Sequence, residues 1–331
     1  MSKGKVTVLG INGHVGQAAA RTFAEAGWQV TGMGRSDKYR LAGVRFVRGD
    51  SDSVADMTRA IGDSGVVVNA LNLPYHTWDN GRMEAQMARV VEAMGRDGKT
   101  MLFPGNIYNY SAGLRHVLPD SAQNPQTPRG GIRVRVEDGL RQAAERGGVQ
   151  ILILRAGDFY GPESSSDWFD QAIFREIGKA EVSLPGRRGV GHSWAYLPDL
   201  GRAFEALAAM RTSLPAFDRF HFAGHYVTPE EMRAAIAAAA PRPLRFAYFP
   251  WLLLRAMGLF NPLLREVGKM GYLWIHPMQL EDKRLDDLLG LGFATPFGEA
   301  MEAASAPHFA KLAGSNRESP APKATPVHET V

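Results

Sequence analysis

The chain has 331 residues, 45% hydrophobic and 22% charged, the composition of a globular protein long enough to bury a large core. Its formal charge is only +4 and no dense basic block occurs, which argues against nucleic acid as a partner and suits a small anionic ligand. Cysteine is absent, so disulfides, thiol catalysis and cysteine-ligated metal sites are excluded, and no spacing of His, Asp and Glu suggests a metal centre.

The first residues run directly into a strand pattern at 5–9 without the apolar stretch of a signal peptide, so a cytoplasmic protein is expected. A helix pattern at 14–26 follows, then strand patterns at 29–32 and 44–47, a helix at 53–61 and a wholly apolar strand at 66–69. Met83, Met87, Val90, Val91 and Met94 recur at helical spacing, a stripe that packs against a sheet. Strands at 100–103 and 150–154 flank a helix around 133–146. Such alternation predicts an α/β fold, a doubly wound parallel sheet of the Rossmann type.

After residue 154 the pattern loosens. A short helix is expected at 168–177, a strand at 192–196, and helices at 199–210 and 228–240, the last opened by Thr228 as N-cap before a proline and two acids. Residues 1–155 are read as a dinucleotide-binding core. Residues 156–312 are read as a smaller C-terminal lobe that covers the site and returns some segments to the core, and 313–331 as a disordered tail. The apolar stretch 249–264 is interrupted by Arg255 and Pro262 and falls short of the ~20 residues of a membrane span. It reads as a buried helix or a contact for a second copy or another protein, with a membrane-surface contact as the thinner alternative.

The segment Gly10-Ile-Asn-Gly13-His-Val-Gly16 lies between the first strand and the first helix. Gly10 permits the tight turn, Gly13 lets the backbone approach a pyrophosphate, and Gly16 permits close packing of helix on strand. The helix N-terminus then offers N–H groups and a positive dipole end to the anion, with Asn12, His14 and Val15 completing the loop. His14 is read as a backbone contributor with a solvent-facing ring. At the end of the second strand Arg35 comes first, followed by Ser36, where an NAD site places a carboxylate. Arg35 can pair with a 2′-phosphate, so NADP(H) is the preferred cofactor; a solvated Arg35, or Asp37 serving NAD(H), is the alternative. Asp50 stands where an adenine-edge contact is expected, or caps the helix that begins near Ser51.

These segments, with Asn69-Ala-Leu-Asn, Ile107-Tyr108, Leu154-Arg-Ala-Gly-Asp-Phe-Tyr-Gly-Pro162 and Tyr196-Leu-Pro-Asp199, stand in an order that resembles the extended short-chain dehydrogenase/reductase superfamily, and within it the NAD-dependent epimerase/dehydratase-like proteins. The resemblance spans residues 5 to 210. It implies a nicotinamide dinucleotide held partly by Ala70 and Leu71, and a catalytic Ser, Tyr and Lys. Aligned on this chain, those three roles fall on Pro104, Arg129 and Arg133. All three identities are missing, although Arg133 can still hold a ribose hydroxyl. Nucleotide-sugar members carry a phosphate-binding Arg where this chain has His192, which argues against a nucleotide sugar as substrate, unless Arg187 or Arg188 nearby, otherwise read as solvated loop residues, takes that place.

Substitute acid–base candidates at the carboxyl end of the sheet are Tyr108, Asp158, Tyr160 and His192. His76, Trp78, Asn106, Trp168 and Trp194 are expected to face the substrate, with Phe159 and Phe169 extending an aromatic lining. The expectation is an atypical oxidoreductase or epimerase/dehydratase-like protein that binds NADP(H) and a small organic molecule. The alternative is a non-catalytic sensor or assembly protein that reads NADP(H) and binds a protein partner through its C-terminal lobe.

Overall fold

The computed structural model describes residues 3–162, 167–249 and 268–315, together with positions 251, 256, 259, 260 and 265. Seven strands form one parallel sheet in the order β3-β2-β1-β4-β5-β7-β11: β1 Lys5–Leu9, β2 Gln29–Gly34, β3 Val44–Arg48, β4 Val66–Asn69, β5 Lys99–Asn106, β7 Val149–Ala156 and β11 Phe217–His221. Reversal of the strand order between β1 and β4 makes the sheet doubly wound and opens a crevice at its carboxyl edge.

Alternation along each strand divides the core into two layers. Val6 and Val8 of β1, Val66 and Val68 of β4, and Leu152 and Leu154 of β7 face α1 (His14–Glu25) and α5 (Leu197–Met210). Leu9, Val67, Ile151 and Ile153 face α2 (Val54–Ile61), α3 (Arg82–Met94) and α4 (Pro128–Glu145), where the methionine stripe is buried. Ala18, Ala19 and Ala20 bring α1 close to the sheet, and Gly201 of α5 is needed because a methyl there would meet Thr22 Oγ1 at 2.6 Å.

The lobe is assembled from short pieces. β8 (Asp158–Tyr160) and β12 (His225–Val227) flank β10 (His192–Tyr196), β9 (Glu181–Leu184) pairs with β13 (Arg245–Tyr248), and β6 (His116–Val117) pairs with β14 (Gln279–Leu280). α6 (Pro229–Ala239) and the long helix Phe297–Ser315 close the lobe over an aromatic core. The capping box expected at Thr228 is formed with Glu231.

Several boundaries differ from the sequence reading. α4 starts at Pro128 because Thr127 caps Gly130 N and proline suits the first helical position. The helix expected at 168–177 is a π-turn, Phe169–Ile173, and a separate 3-10 turn, Ile177–Lys179. Most of the apolar stretch 249–264 and residues 316–331 lie outside the described residues, while 313–315 continue the last helix and do not begin the tail. Among the described residues no helix is long and apolar enough to cross a membrane.

Candidate functional site

The glycine loop is built from β1 outward. Gly10 has φ +83, and a Cβ there would lie 2.7 Å from Ala70 O at the end of β4. A Cβ at Gly16 would lie 2.3 Å from Gly10 O, so α1 can start beside the strand end only with glycine at this position. Gly13, the N-cap of α1, brings no side chain to the first-turn amides, and a methyl on it would have only Gly10 O as a neighbour, at 3.4 Å. Asn12 Nδ2 donates to Ser36 O at 2.8 Å, tying the loop to the end of β2.

Arg35 is the first residue beyond β2 and is exposed, and no carboxylate among the described residues pairs with it. Asp37, the alternative contact for an NAD ribose, accepts from Arg40 N. Asp50 is not the cap of α2: Ser53 accepts from Asp56 N and holds that role, while Asp50 accepts from Asp52 N in a local turn.

Above this loop lies a cavity of about 740 Å³, within the usual ~300–1,000 Å³ of small-molecule sites. Its floor is the carboxyl edge of the sheet: Ala70 after β4, Pro104 to Tyr108 at the end of β5, and Ala156 to Phe159 after β7. Val15 of the glycine loop and Arg133 of α4 also line it, and the lobe adds Trp168, Gln171, Ser183, Phe249 and Met270.

Two groups dominate the chemistry of the floor. Arg133 is only 8% exposed, its guanidinium lies 4.7 Å from the Trp78 ring centroid, and its Nε is buried without a hydrogen-bond partner. No carboxylate among the described residues pairs with it. Burial lowers its pKa, and the neighbouring Tyr108 and Glu137 oppose that only in part. Burial also pushes the Tyr108 phenol well above its ordinary value, with the Asp158 charge acting in the same direction. A phenol so held stays protonated and donates a hydrogen bond.

Of the residues proposed from sequence, Val15, Ala70, Trp78, Asn106, Tyr108, Arg133, Asp158 and Trp168 line this one cavity. Others do not. Tyr160 is fully buried, hydrogen-bonded to His225 Nδ1 at 2.8 Å, and Trp194 is 2% exposed among Tyr160, Phe169 and Trp274; both are lobe core because β10 is covered on both faces. Phe169 belongs to the same core, so of the five aromatic residues expected around the site Trp78, Phe159 and Trp168 line the cavity, beside Tyr75, Tyr108 and Phe249. His192 stands behind Asp158, its Nε2 2.7 Å from Asp158 Oδ2. His76 sits in the turn Tyr75–Thr77, and its side chain lies outside the described residues.

His14 corrects the sequence reading most clearly. Its ring does not face solvent; Nδ1 lies 2.6 Å from Asp167 Oδ2 in the lobe, and the side chain is 10% exposed. Leu71 N is held by Asn69 Oδ1 at 3.3 Å, which shapes the turn after β4. Sequence reasoning missed Gln171, Ser183 and Met270, whose separate short elements carry no motif; Phe249 was visible only as the start of an apolar stretch.

Arg129, which the sequence reading sets in the place of the catalytic Tyr, is 4% exposed, lies 5.1 Å from the Tyr75 ring centroid, pairs with Asp79 at 3.0 Å and does not line the cavity. Pro104 and Arg133, which the same reading sets in the other two roles, do line it.

Solved structures share this architecture. "MoeE5 in complex with UDP-glucose and NAD" superposes with a TM-score of 0.73 at 17% identity, covering 95% of this chain and 100% of that one. The Bordetella bronchiseptica enzyme WbmH in complex with NAD+ gives 0.68 at 20% identity, covering 92% and 97%. UDP-glucuronic acid 4-epimerase from Bacillus cereus, in complex with UDP-glucuronic acid and NAD, gives 0.73 at 13% identity, covering 93% and 99%. No curated protein matches the chain by sequence. Residues 6–221, from β1 to the end of β11, match the family model described as NAD dependent epimerase/dehydratase, and the chain therefore belongs to the NAD-dependent epimerase/dehydratase family.

Proposed function

We propose that the chain is a dinucleotide-dependent enzyme, an oxidoreductase or epimerase/dehydratase, that acts on a small organic substrate without the Ser-Tyr-Lys set. The observation that carries this reading is the buried Arg133, paired with no carboxylate among the described residues, in a cavity that opens beside the glycine loop. A charge held at such cost of burial calls for an electron-rich ligand. The loop and Arg133 fit a dinucleotide: first-turn amides of α1 for the pyrophosphate, and Arg133 for the ribose of the nicotinamide end. When bound, the dinucleotide would supply or accept a hydride at a substrate carbon. Trp168, Phe249 and Met270 favour a substrate with an apolar or ring-shaped part. His192 in place of the phosphate-binding Arg leaves a nucleotide diphosphate without its cation there.

The exposed Arg35, paired with no carboxylate among the described residues, favours NADP(H). Titration of the protein with NADPH and NADH by nucleotide fluorescence tests this beside Arg35→Ala. One charge-assisted contact contributes ~1.5–3 kcal/mol, so a ten- to hundredfold preference of roughly that size is expected, and Arg35→Ala removes it while leaving NADH unchanged. Equal affinities in the wild type refute the preference. No binding of either nucleotide refutes the whole reading. Tight binding without turnover of a panel of aldehydes, ketones and quinones favours a sensor, in keeping with Arg129 in the place of the catalytic Tyr.

A further inference from the structure

The Asp158–His192 pair has a proton count that its geometry fixes. Gly157 lets β8 come against β10, since a Cβ there would lie 1.9 Å from Ser193 O. The parallel register sets Asp158 opposite Trp194, and His192, two residues earlier, reaches across to the carboxylate. His192 Nδ1 lies 3.0 Å from Leu273 O, and Nε2 lies 2.7 Å from Asp158 Oδ2. The ring stacks on Trp274 at 3.9 Å, so it cannot turn to another partner without losing that contact.

A peptide carbonyl only accepts, so Nδ1 carries a proton. An ionised carboxylate also only accepts. A neutral imidazole would then set the Nε2 lone pair against carboxylate lone pairs at hydrogen-bond distance, which is repulsive. The pair therefore holds a second proton between Nε2 and Oδ2. Both side chains are largely buried, at 7% and 13% exposed, and Asp158 lines the cavity while His192 does not. This is a stored proton at the cavity wall, where Asp158 faces the cavity.

We infer that Asp158, backed by His192, is the acid–base group of this cavity, delivering the shared proton to a substrate carbonyl oxygen and taking it back in the reverse direction. The inference rests on the dinucleotide-dependent reading above. In the reducing direction the carbonyl carbon gains a hydride from a reduced nicotinamide dinucleotide and the C=O π pair moves to oxygen. The Asp158 carboxyl takes the proton as the His192 Nε2–H bond breaks, and the substrate oxygen then bonds to that proton as its bond to the carboxyl breaks, leaving His192 neutral and Asp158 ionised. The pair is left one proton short, and solvent restores it. Tyr108, across the same floor, keeps its proton and supplies a hydrogen bond to the oxygen. His192 is a positioning residue that holds the carboxyl and its proton, and it does not touch substrate.

Two measurements test this. The first needs no dinucleotide: imidazole nitrogen NMR at pH 7 on protein labelled at its nine histidines, with His192 assigned by its loss in His192→Gln. Both ring nitrogens of His192 are expected to carry protons, and Nε2 loses its proton in Asp158→Asn, whose amide can donate to it. A single N–H on His192 beside an ionised Asp158 carboxylate, read by carboxyl carbon NMR, overturns the stored proton.

The second is turnover of the carbonyl compound found in the panel. Asp158→Asn should lower kcat about 100-fold or more, the usual size of an acid–base contribution, with NADPH affinity held within about twofold. His192→Gln, which can still hydrogen-bond the carboxylate but carries no transferable proton, should also lower kcat. A change in KM alone, with kcat kept within about threefold, makes Asp158 a wall residue and overturns the inference. So does a blank panel beside tight NADPH binding. Loss of NADPH binding in the wild type instead removes the reading beneath it.

Discussion

At the scale of single residues, the glycine loop separates fold from ligand. Gly16 is required by the protein itself, because its Cβ would collide with Gly10 O, whereas Gly13 has φ −82 and no near neighbour but the same oxygen at 3.4 Å. Gly16→Ala should therefore cost about 1–3 kcal/mol, seen as a thermal midpoint lower by roughly 2–6 °C. Gly13→Ala should keep the midpoint within about 2 °C yet weaken NADPH at least about tenfold, since the methyl stands where backbone must approach the pyrophosphate. Equal thermal losses in the two variants, or unchanged affinity in Gly13→Ala, would refute the division. The spacing of the three glycines was legible because each answers a local backbone demand. The orientation of the His14 ring was not, because its partner Asp167 is 153 residues away in the sequence.

At the scale of elements, β7, α4 and β11 are locked by a buried polar network. Arg155 of β7 is fully buried, ion-paired with Glu137 of α4 and hydrogen-bonded to Tyr110 Oη, and its Nη1 lies 3.1 Å from His221 Nε2 of β11. His221 Nδ1 donates to Val117 O at 2.8 Å, so Nε2 is left as the acceptor and the ring is neutral. Burial first, and the Arg155 charge second, lower the His221 pKa to about 3. The unfolded chain therefore binds a proton at this residue between about pH 6.5 and 3 that the folded chain refuses, and stability falls as pH is lowered through that window. The full effect is on the order of 5 kcal/mol. Urea midpoints at pH 7 and pH 4 should converge in His221→Gln relative to wild type; a variant that keeps the wild-type acid slope would place that slope on other groups. β11 escaped the sequence reading because Phe-Asp-Arg-Phe-His shows neither an apolar run nor strict alternation. Trp194 and Tyr160 were misplaced for a related reason. Aromatic character is visible in a sequence, but whether a short strand is covered on one face or two is decided by elements far along the chain, here β8, β12 and the turn at Trp274.

At the scale of the whole molecule, the doubly wound sheet was legible because strand and helix alternate within about 150 residues, while the lobe was legible only in part, in its strand at 192–196 and the helix opened by Thr228, because its small sheets pair segments such as β6 with β14 and β9 with β13. The consequence is a molecule whose site lies between a locally specified core and a lobe specified by long-range contacts. His14 joins the two, reaching from the first turn of α1 to Asp167 beside the cavity. Burial alone would lower the His14 pKa, but the hydrogen bond and charge of Asp167, with Asp170 behind it, outweigh both burial and the nearby Lys38 and raise it. A raised folded value means that the tie is fully present below the ordinary histidine pKa and is lost as pH rises through the folded value. A protonated His14 also adds positive charge at the helix N-terminus proposed to hold the pyrophosphate. NADPH affinity and thermal midpoint should therefore both decline as pH is raised from 6 to 9, and His14→Gln should flatten both profiles while Asp167→Asn moves the decline to lower pH. If the His14→Gln profiles keep the wild-type slope, the joint between core and lobe is insensitive to this proton and the coupling must run through the cavity wall alone.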